Sequence, residues 1–263
     1  MAETLIFAGS VEEALAAKNG ASAFLAGGTE INRLRSSVTA EKLISIKKLP
    51  ALRGIAEEDG FIRIGAATTF QEAVDSPLVP GYFKEACRLM ASRTKRNMAT
   101  VGGNIALLRD DSYILPCLIA AKATLVWMAE GKREEGCPCC FMKAAKAGKT
   151  KDALLLYILL APERRVYLKR YANTAMSCSV MNLAYGFDKD GGNVAIGAAF
   201  KNAGLMKLAE AEKLAAPEDA AAYGKEAPVA FKDDMYGSAA YKRYLLGATI
   251  EKFMLDAKEE VRS

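Results

Sequence analysis

At 263 residues, with 51% hydrophobic and 25% charged residues, the chain has material for two modest domains, each with its own core. The net charge of +5 sits mainly on scattered lysines, with a thicker patch from Lys143 to Lys151 and a short run at Arg164, Arg165, Lys169 and Arg170; no aromatics interleave with the first patch, so it reads as a solvated face and no nucleic-acid partner is expected. The absence of histidine excludes Ser-His-Asp and Cys-His catalysis and HExxH zinc chemistry.

The opening MAETLIFAGS lacks a basic stretch followed by an apolar one, and the longest apolar run, Ala153 to Ala161, is far below the ~18 residues of a membrane span. A soluble, cytoplasmic protein is expected. The six cysteines, Cys87, Cys117, Cys137, Cys139, Cys140 and Cys178, are then expected as reduced thiols.

The first elements read as a βαβ unit. A strand at Leu5 to Phe7 precedes a helix opened by Ser10, with Glu12 and Glu13 in its first turn, and a strand follows from Ala23 to Ala26. Gly27-Gly28-Thr29 comes directly after it. An extended piece at Leu43 to Ile46 ends near Pro50, and Ile62 and Ile64 alternate with polar residues as in a half-buried strand. From Tyr82 to Arg93, Phe83, Ala86, Leu89 and Met90 fall on one helical face, leading into a second glycine-rich turn within Lys95 to Asn104. Apolar stretches at Ile114 to Ala121 and Thr124 to Trp127 precede a polar segment at Glu130 to Gly136 and the run Cys137-Pro138-Cys139-Cys140. The near-continuous apolar strand Leu154 to Leu160 is closed by Pro162, where a boundary is placed between domains 1–162 and 163–263. The remainder reads as strands at Val166 to Arg170, Ser179 to Phe187 and Asn193 to Phe200, followed by helices. The last of these, Ala239 to Val261, has Leu246, Ile250, Phe253 and Ala257 at helical spacing.

A glycine pair after a buried strand lets backbone approach a bulky anion, because no Cβ intervenes and positive φ is accessible. One such turn is weak evidence, since tight turns use the same residues. Two of them, roughly seventy residues apart, each with a hydroxyl at Thr29 or Thr100 and the second with Asn104, have the parts needed to clasp a diphosphate from both sides. Neither fits G-x-G-x-x-G or the P-loop pattern.

AGGTEIN at Ala26 to Asn32, together with RNMATVGGNIA at Arg96 to Ala106, resembles the paired FAD loops of the flavin subunits of molybdenum hydroxylases. SRxxRN at Ser92 to Asn97, CPC at Cys137 to Cys139 and GSAAYKRY at Gly237 to Tyr244 resemble in particular the short bacterial xanthine-dehydrogenase-type FAD subunits. The resemblance runs along essentially the whole chain. It implies an α+β fold: a PCMH-type (vanillyl-alcohol-oxidase-like) FAD-binding domain of two α/β subdomains, then a small sheet-plus-helices domain like that of CO dehydrogenase flavoproteins. It also implies that Phe24, Leu25, Ala26, Gly27, Gly28, Thr29, Glu30 and Ile31 wrap the pyrophosphate from one side and Thr100, Gly102, Gly103 and Asn104 from the other. Leu156 would pack on the flavin or adenine, and Lys169 would reach the flavin edge or a phosphate. With no histidine for the common covalent link, the FAD is expected to be non-covalent.

One stretch departs from the pattern. Where the family usually has Ser-Pro and then Asp for the adenosine end, this chain reads Leu107-Leu108-Arg109-Asp110-Asp111-Ser112-Tyr113, which leaves Asp110, Asp111, Ser112 or a stacking Tyr113 open as substitutes. The CPCC run lacks ferredoxin spacing and Pro138 suggests a turn, so reduced thiols at a turn are expected rather than an iron–sulfur cluster. The function implied is electron relay within an oxidoreductase assembly. Substrate would be hydroxylated on a large molybdenum-cofactor subunit, and electrons would pass through [2Fe–2S] clusters of a small subunit to FAD here, then to NAD or another acceptor. No residue of this chain would be catalytic or bind metal, and the chain would not be a complete enzyme. A self-contained flavoenzyme of the same fold and a flavin-free nucleotide-binding scaffold are the alternatives.

Overall fold

The computed structural model describes residues 4–33, 36, 38–174 and 177–262. The chain opens with β1 (Thr4–Phe7), α1 (Val11–Ala16), β2 (Ser22–Leu25), β3 (Lys42–Ser45), β4 (Ile55–Glu58) and β5 (Phe61–Gly65). Five helices follow: α2 (Phe70–Asp75), α3 (Gly81–Arg88), α4 (Arg93–Arg96), α5 (Val101–Ala106) and α6 (Ile114–Ala120). Next come β6 (Thr124–Ala129), β7 (Lys132–Gly136), α7 (Pro138–Lys146) and β8 (Leu154–Leu160). The last stretch holds β9 (Arg165–Tyr171), β10 (Met181–Phe187), β11 (Ala195–Phe200), β12 (Gly204–Lys207), α8 (Asp219–Glu226) and α9 (Ala239–Arg262). These elements divide between two compact units, residues 1–107 with 123–162, and residues 108–122 with 163–263.

The first unit holds two sheets. The parallel sheet β1-β3-β2 contains the β1-α1-β2 unit of the opening sequence, with β3 inserted between its two strands. Ser10 caps α1 by accepting the Glu13 N–H at 3.1 Å, while the Glu13 carboxylate takes the Gly9 N–H at 2.7 Å, so two otherwise orphaned donors are satisfied at the helix start. Ile44, Ile46, Leu49 and Leu52 form the core beneath this sheet with Ala14, Ala67 and Leu154. The antiparallel sheet β4-β5-β8-β6-β7 places the apolar run of β8 at its centre and the charged, exposed β7 at its edge, where Lys and Glu discourage pairing with another strand. Between β6 and β8 the register slips: Val126 pairs with Tyr157 but Trp127 pairs with Leu155. Leu156 is therefore an extra residue that breaks the in–out alternation.

In the second unit, every residue of β10 and β11 is buried. Alternate residues Met181, Leu183, Tyr185, Phe187, Ile196, Ala198 and Phe200 join Leu246, Ile250, Phe253 and Met254 of α9 in one core. On the opposite face lies α6, whose residues are all buried. A Cβ at Gly186 would stand 2.0 Å from the Ala120 carbonyl oxygen, and one at Gly197 would stand 2.3 Å from that of Pro116. Backbone thus rests on backbone there.

Three parts of the chain differ from what the sequence leads one to expect. The segment 108–122, assigned from sequence to the first domain, packs in the second unit because that glycine-lined face receives α6. The helix read over Tyr82 to Arg93 is two helices, since Ala91 takes φ of 43° and the Arg96 guanidinium binds the carbonyls of Ala91 (2.9 Å), Arg88 (3.4 Å) and Met90 (3.5 Å). A side chain from the next helix thereby caps the first one. Finally, CPCC is no simple turn: Cys137 is the N-cap of α7, with Pro138 in its first turn, where a missing N–H costs nothing. Among the described residues no helix is long and apolar enough to cross a membrane.

Candidate functional site

The first unit contains a cavity of about 470 Å³, walled by both glycine segments. Its size falls within the roughly 300–1,000 Å³ of small-molecule sites.

One wall begins where β2 ends. Gly28 has φ of 70°, a left-handed conformation that glycine adopts without Cβ strain. The turn is closed by the Asn32 N–H on the Gly28 carbonyl and the Arg33 N–H on the Glu30 carbonyl, both at 3.0 Å. Among the described residues no protein acceptor takes the N–H groups of Gly28 and Thr29, which leaves two backbone donors at the cavity wall.

The facing wall is the start of α5. The second "turn" of the sequence reading is a helix: Thr100 is its N-cap, and its side chain accepts the Gly103 N–H at 3.2 Å. Val101 donates to the Thr68 carbonyl at 3.0 Å, Gly102 to that of Ala66 at 2.8 Å and Asn104 to that of Thr100 at 3.1 Å. The protein itself therefore takes these four N–H groups. What α5 offers the cavity is side chain and shape, and Asn104 Oδ1 is buried with no hydrogen-bond partner among the described residues. An unpaired buried acceptor costs about 1–3 kcal/mol and marks a place where a donor belongs.

The two walls meet through glycine. A Cβ at Gly27 would stand 2.0 Å from the Met98 carbonyl oxygen, and one at Gly102 would stand 2.5 Å from Ala66 Cβ. Gly27 thus lets the first segment close on the residues leading into α5, and Gly102 seats α5 on Ala66, so their absent side chains shape the cavity indirectly. At Gly103 the Cβ would come 2.8 Å from Thr100 Oγ1 and disturb the cap.

Of the residues picked out in sequence, Phe24, Ala26, Gly27, Gly28, Thr29, Glu30, Ile31, Thr100, Gly102, Gly103 and Asn104 line this cavity. Leu25, Leu156 and Lys169 do not. Leu25 ends β2. Leu156, displaced by the bulge, packs on the Ile44 core, and its neighbours Leu154 and Leu155 line the cavity instead. Lys169 is an exposed residue of β9 in the second unit, its Nζ 5.7 Å from the centre of the Tyr171 ring. Sequence reasoning missed Lys18, Thr39, Thr150 and Lys151 on the cavity wall. Lys18 is held there by Asp152 (2.8 Å) and the Asn19 carbonyl (3.0 Å), 5.8 Å from the centre of the Phe24 ring. Its pairing with a residue far along the chain leaves no local signal.

None of the four adenosine-end substitutes lines the cavity. Asp110 accepts from Lys201 Nζ at 2.8 Å and the Asn202 N–H at 2.9 Å. Asp111 is bridged at both oxygens by Arg109, each at 2.8 Å, and the Asn182 amide binds the carbonyls of Asp111 and Ser112. Burial opposes ionisation of Asp111, but the Arg109 guanidinium outweighs it and holds the carboxyl below its ordinary range. The Ser112 hydroxyl accepts the Leu115 N–H at the start of α6, and the Arg170 guanidinium lies 5.8 Å from the centre of the Tyr113 ring. All these contacts lie within the second unit.

Residues 2–160 match the family described as the FAD binding domain in molybdopterin dehydrogenase, and the chain belongs to that family. It is an FAD-binding component of molybdopterin-dependent oxidoreductases, with the PCMH-type fold. YgfM of Escherichia coli K12, a protein without an assigned function, is 28% identical over 95% of this chain and 94% of its own length. The xanthine dehydrogenase FAD-binding subunit of Escherichia coli O157:H7 is 36% identical over 97 residues, 35% of this chain and 33% of that one. A structure of carbon monoxide dehydrogenase from Hydrogenophaga pseudoflava superposes with a TM-score of 0.85 at 22% identity, covering 99% of this chain and 98% of that chain.

Proposed function

We propose that the cavity of the first unit binds the diphosphate and adjoining parts of one non-covalent FAD, and that the chain is the flavin subunit of a xanthine-dehydrogenase-like molybdenum hydroxylase. The observation that carries the reading is the pairing, across one cavity, of the Gly28 and Thr29 N–H groups with Asn104 Oδ1, none of which has a hydrogen-bond partner among the described residues. Donors suit phosphate oxygens, and the acceptor suits a ribityl hydroxyl or a ring N–H. Lys18 and Lys151 add positive charge beside a dianionic group. Flavin supplies the ability to take electrons singly or in pairs and pass them on. This chain's residues orient it and exclude water, and none serves as general acid or base. The partners are a large molybdenum-cofactor subunit and a small [2Fe–2S] subunit, in the cytoplasm, with NAD or another carrier as acceptor.

The test is kinetic. The purified chain is mixed anaerobically with a candidate hydroxylase substrate, alone and then with the two partner subunits, and flavin bleaching is followed. Bleaching only in the complete assembly is expected. Bleaching with the chain alone would restore the self-contained flavoenzyme, and a chain that stays colourless in FAD would restore the scaffold.

A further inference from the structure

Cys137-Pro138-Cys139-Cys140 contains a C-x-x-C spacing, and the structure gives that spacing a geometry the flavin function does not use. Cys137 caps α7 with its sulfur accepting the Cys140 N–H at 3.1 Å, and the two Sγ atoms lie 2.7 Å apart. Both residues are exposed and neither is in a disulfide. An N-cap and the third helical residue have Cα atoms about 5–6 Å apart, inside the span a disulfide bridges without moving the backbone. Cys139 faces elsewhere on the helical wheel and is more covered.

We propose that Cys137 and Cys140 form a redox-active dithiol that exchanges with small-molecule disulfides, giving the chain a two-electron couple separate from its flavin. Cys137, at the helix start with the backbone N–H on its sulfur, attacks one sulfur of a disulfide RSSR, forming a mixed disulfide and releasing one thiolate. Cys140 then attacks Cys137 Sγ, the S–S bond to R breaks, and the second thiolate leaves. The two cysteine protons end on the two RSH products. Two protein thiols are oxidised and one RSSR is reduced, so atoms and electrons balance. Hydrogen bonding to Cys137, together with burial, pushes the Cys140 thiol above its ordinary range, which suits a resolving residue that keeps its proton until the mixed disulfide has formed.

The full-length protein is equilibrated anaerobically at a series of ratios of oxidised to reduced glutathione, quenched in acid, alkylated and mapped by mass spectrometry. Residues 134–143 lie on one tryptic peptide. The expected result is progressive loss of two alkylation sites with a Cys137–Cys140 link, reversed by dithiothreitol and retained in Cys139→Ser. Cys140→Ser is expected to trap glutathione on Cys137, which the wild type does not accumulate. Three alkylated cysteines at every ratio, or a link that requires Cys139, would overturn the proposal. Flavin content is unaffected in either case, so the result is independent of the cofactor reading.

Discussion

Gly27-Gly28 and Gly102-Gly103 each place a glycine pair within two residues of a threonine, yet they serve the cavity differently. The first stands on a loop after β2, where Gly28 is left-handed and the Gly28 and Thr29 N–H groups have no protein acceptor among the described residues. The second lies in the first turn of α5, where Thr100 and the carbonyls of Thr68 and Ala66 take the N–H groups, leaving Asn104 Oδ1 as the unsatisfied atom. Glycine at the first segment supplies donors; at the second it allows backbone and side chains to close up. A shared dipeptide is thus no guide to a shared role until the hydrogen bonds around it are counted.

The largest effect is expected where the segments meet. Gly27→Val drives a side chain into the Met98 carbonyl, a backbone atom that cannot swing aside. Overpacking of this kind costs about 1–3 kcal/mol, and at the upper end it lowers flavin affinity roughly 100-fold. Equilibrium dialysis with FAD measures it, and unchanged affinity would mean that contact between the segments does not shape the site. Next comes Gly103→Val, which crowds Thr100 Oγ1 and undoes the cap. A cap is worth about 1 kcal/mol, so a five- to tenfold loss is expected, approached by Thr100→Ala. Asn104→Ala separates the two roles most sharply: removing an unpaired buried acceptor should raise the thermal midpoint of the flavin-free protein while weakening FAD several-fold. A fall in both would show that Asn104 has a structural partner after all.

Much of the frame was legible because it is local. Ser10 with Glu13, the apolar run of β8 and the spacing of Leu246, Ile250 and Phe253 announce a cap, a central strand and a buried helix face. The glycine pairs were legible as candidate walls of one cavity because few residue types tolerate such close approach. What escaped depends on distant partners. Arg96 ends α3 from the following helix, α6 finds its face on β10 and β11, and Asp152 sets Lys18 on the cavity wall. Leu156 was misplaced against its neighbours by a bulge visible only in the register with β6. Thr100 before a helical stretch was the one available local signal that the second segment begins a helix.

The smallest effect on flavin is expected outside the cavity. Arg109→Gln leaves FAD affinity unchanged but removes the guanidinium that depresses the Asp111 carboxyl. A depressed folded value contributes stability above the unfolded carboxyl's ordinary 3.8 and loses it as pH falls through the lower folded value. The variant should therefore be less stable by about 1 kcal/mol at neutral pH, a charge-assisted bond discounted for partial exposure. The deficit should shrink below pH 4 or so. Thermal melts across pH 2–7 would check this, and a deficit that grows in acid would contradict it.

The division of labour between the segments is tested most directly by amide hydrogen exchange with and without FAD. The N–H groups of Gly28 and Thr29, without acceptors among the described residues, should exchange fast in the flavin-free protein and become strongly protected when FAD binds. Those of Val101 and Gly102, already bonded to Thr68 and Ala66, should be protected in both states and change little. New protection confined to Val101 and Gly102, or none at Gly28 and Thr29, would contradict the account.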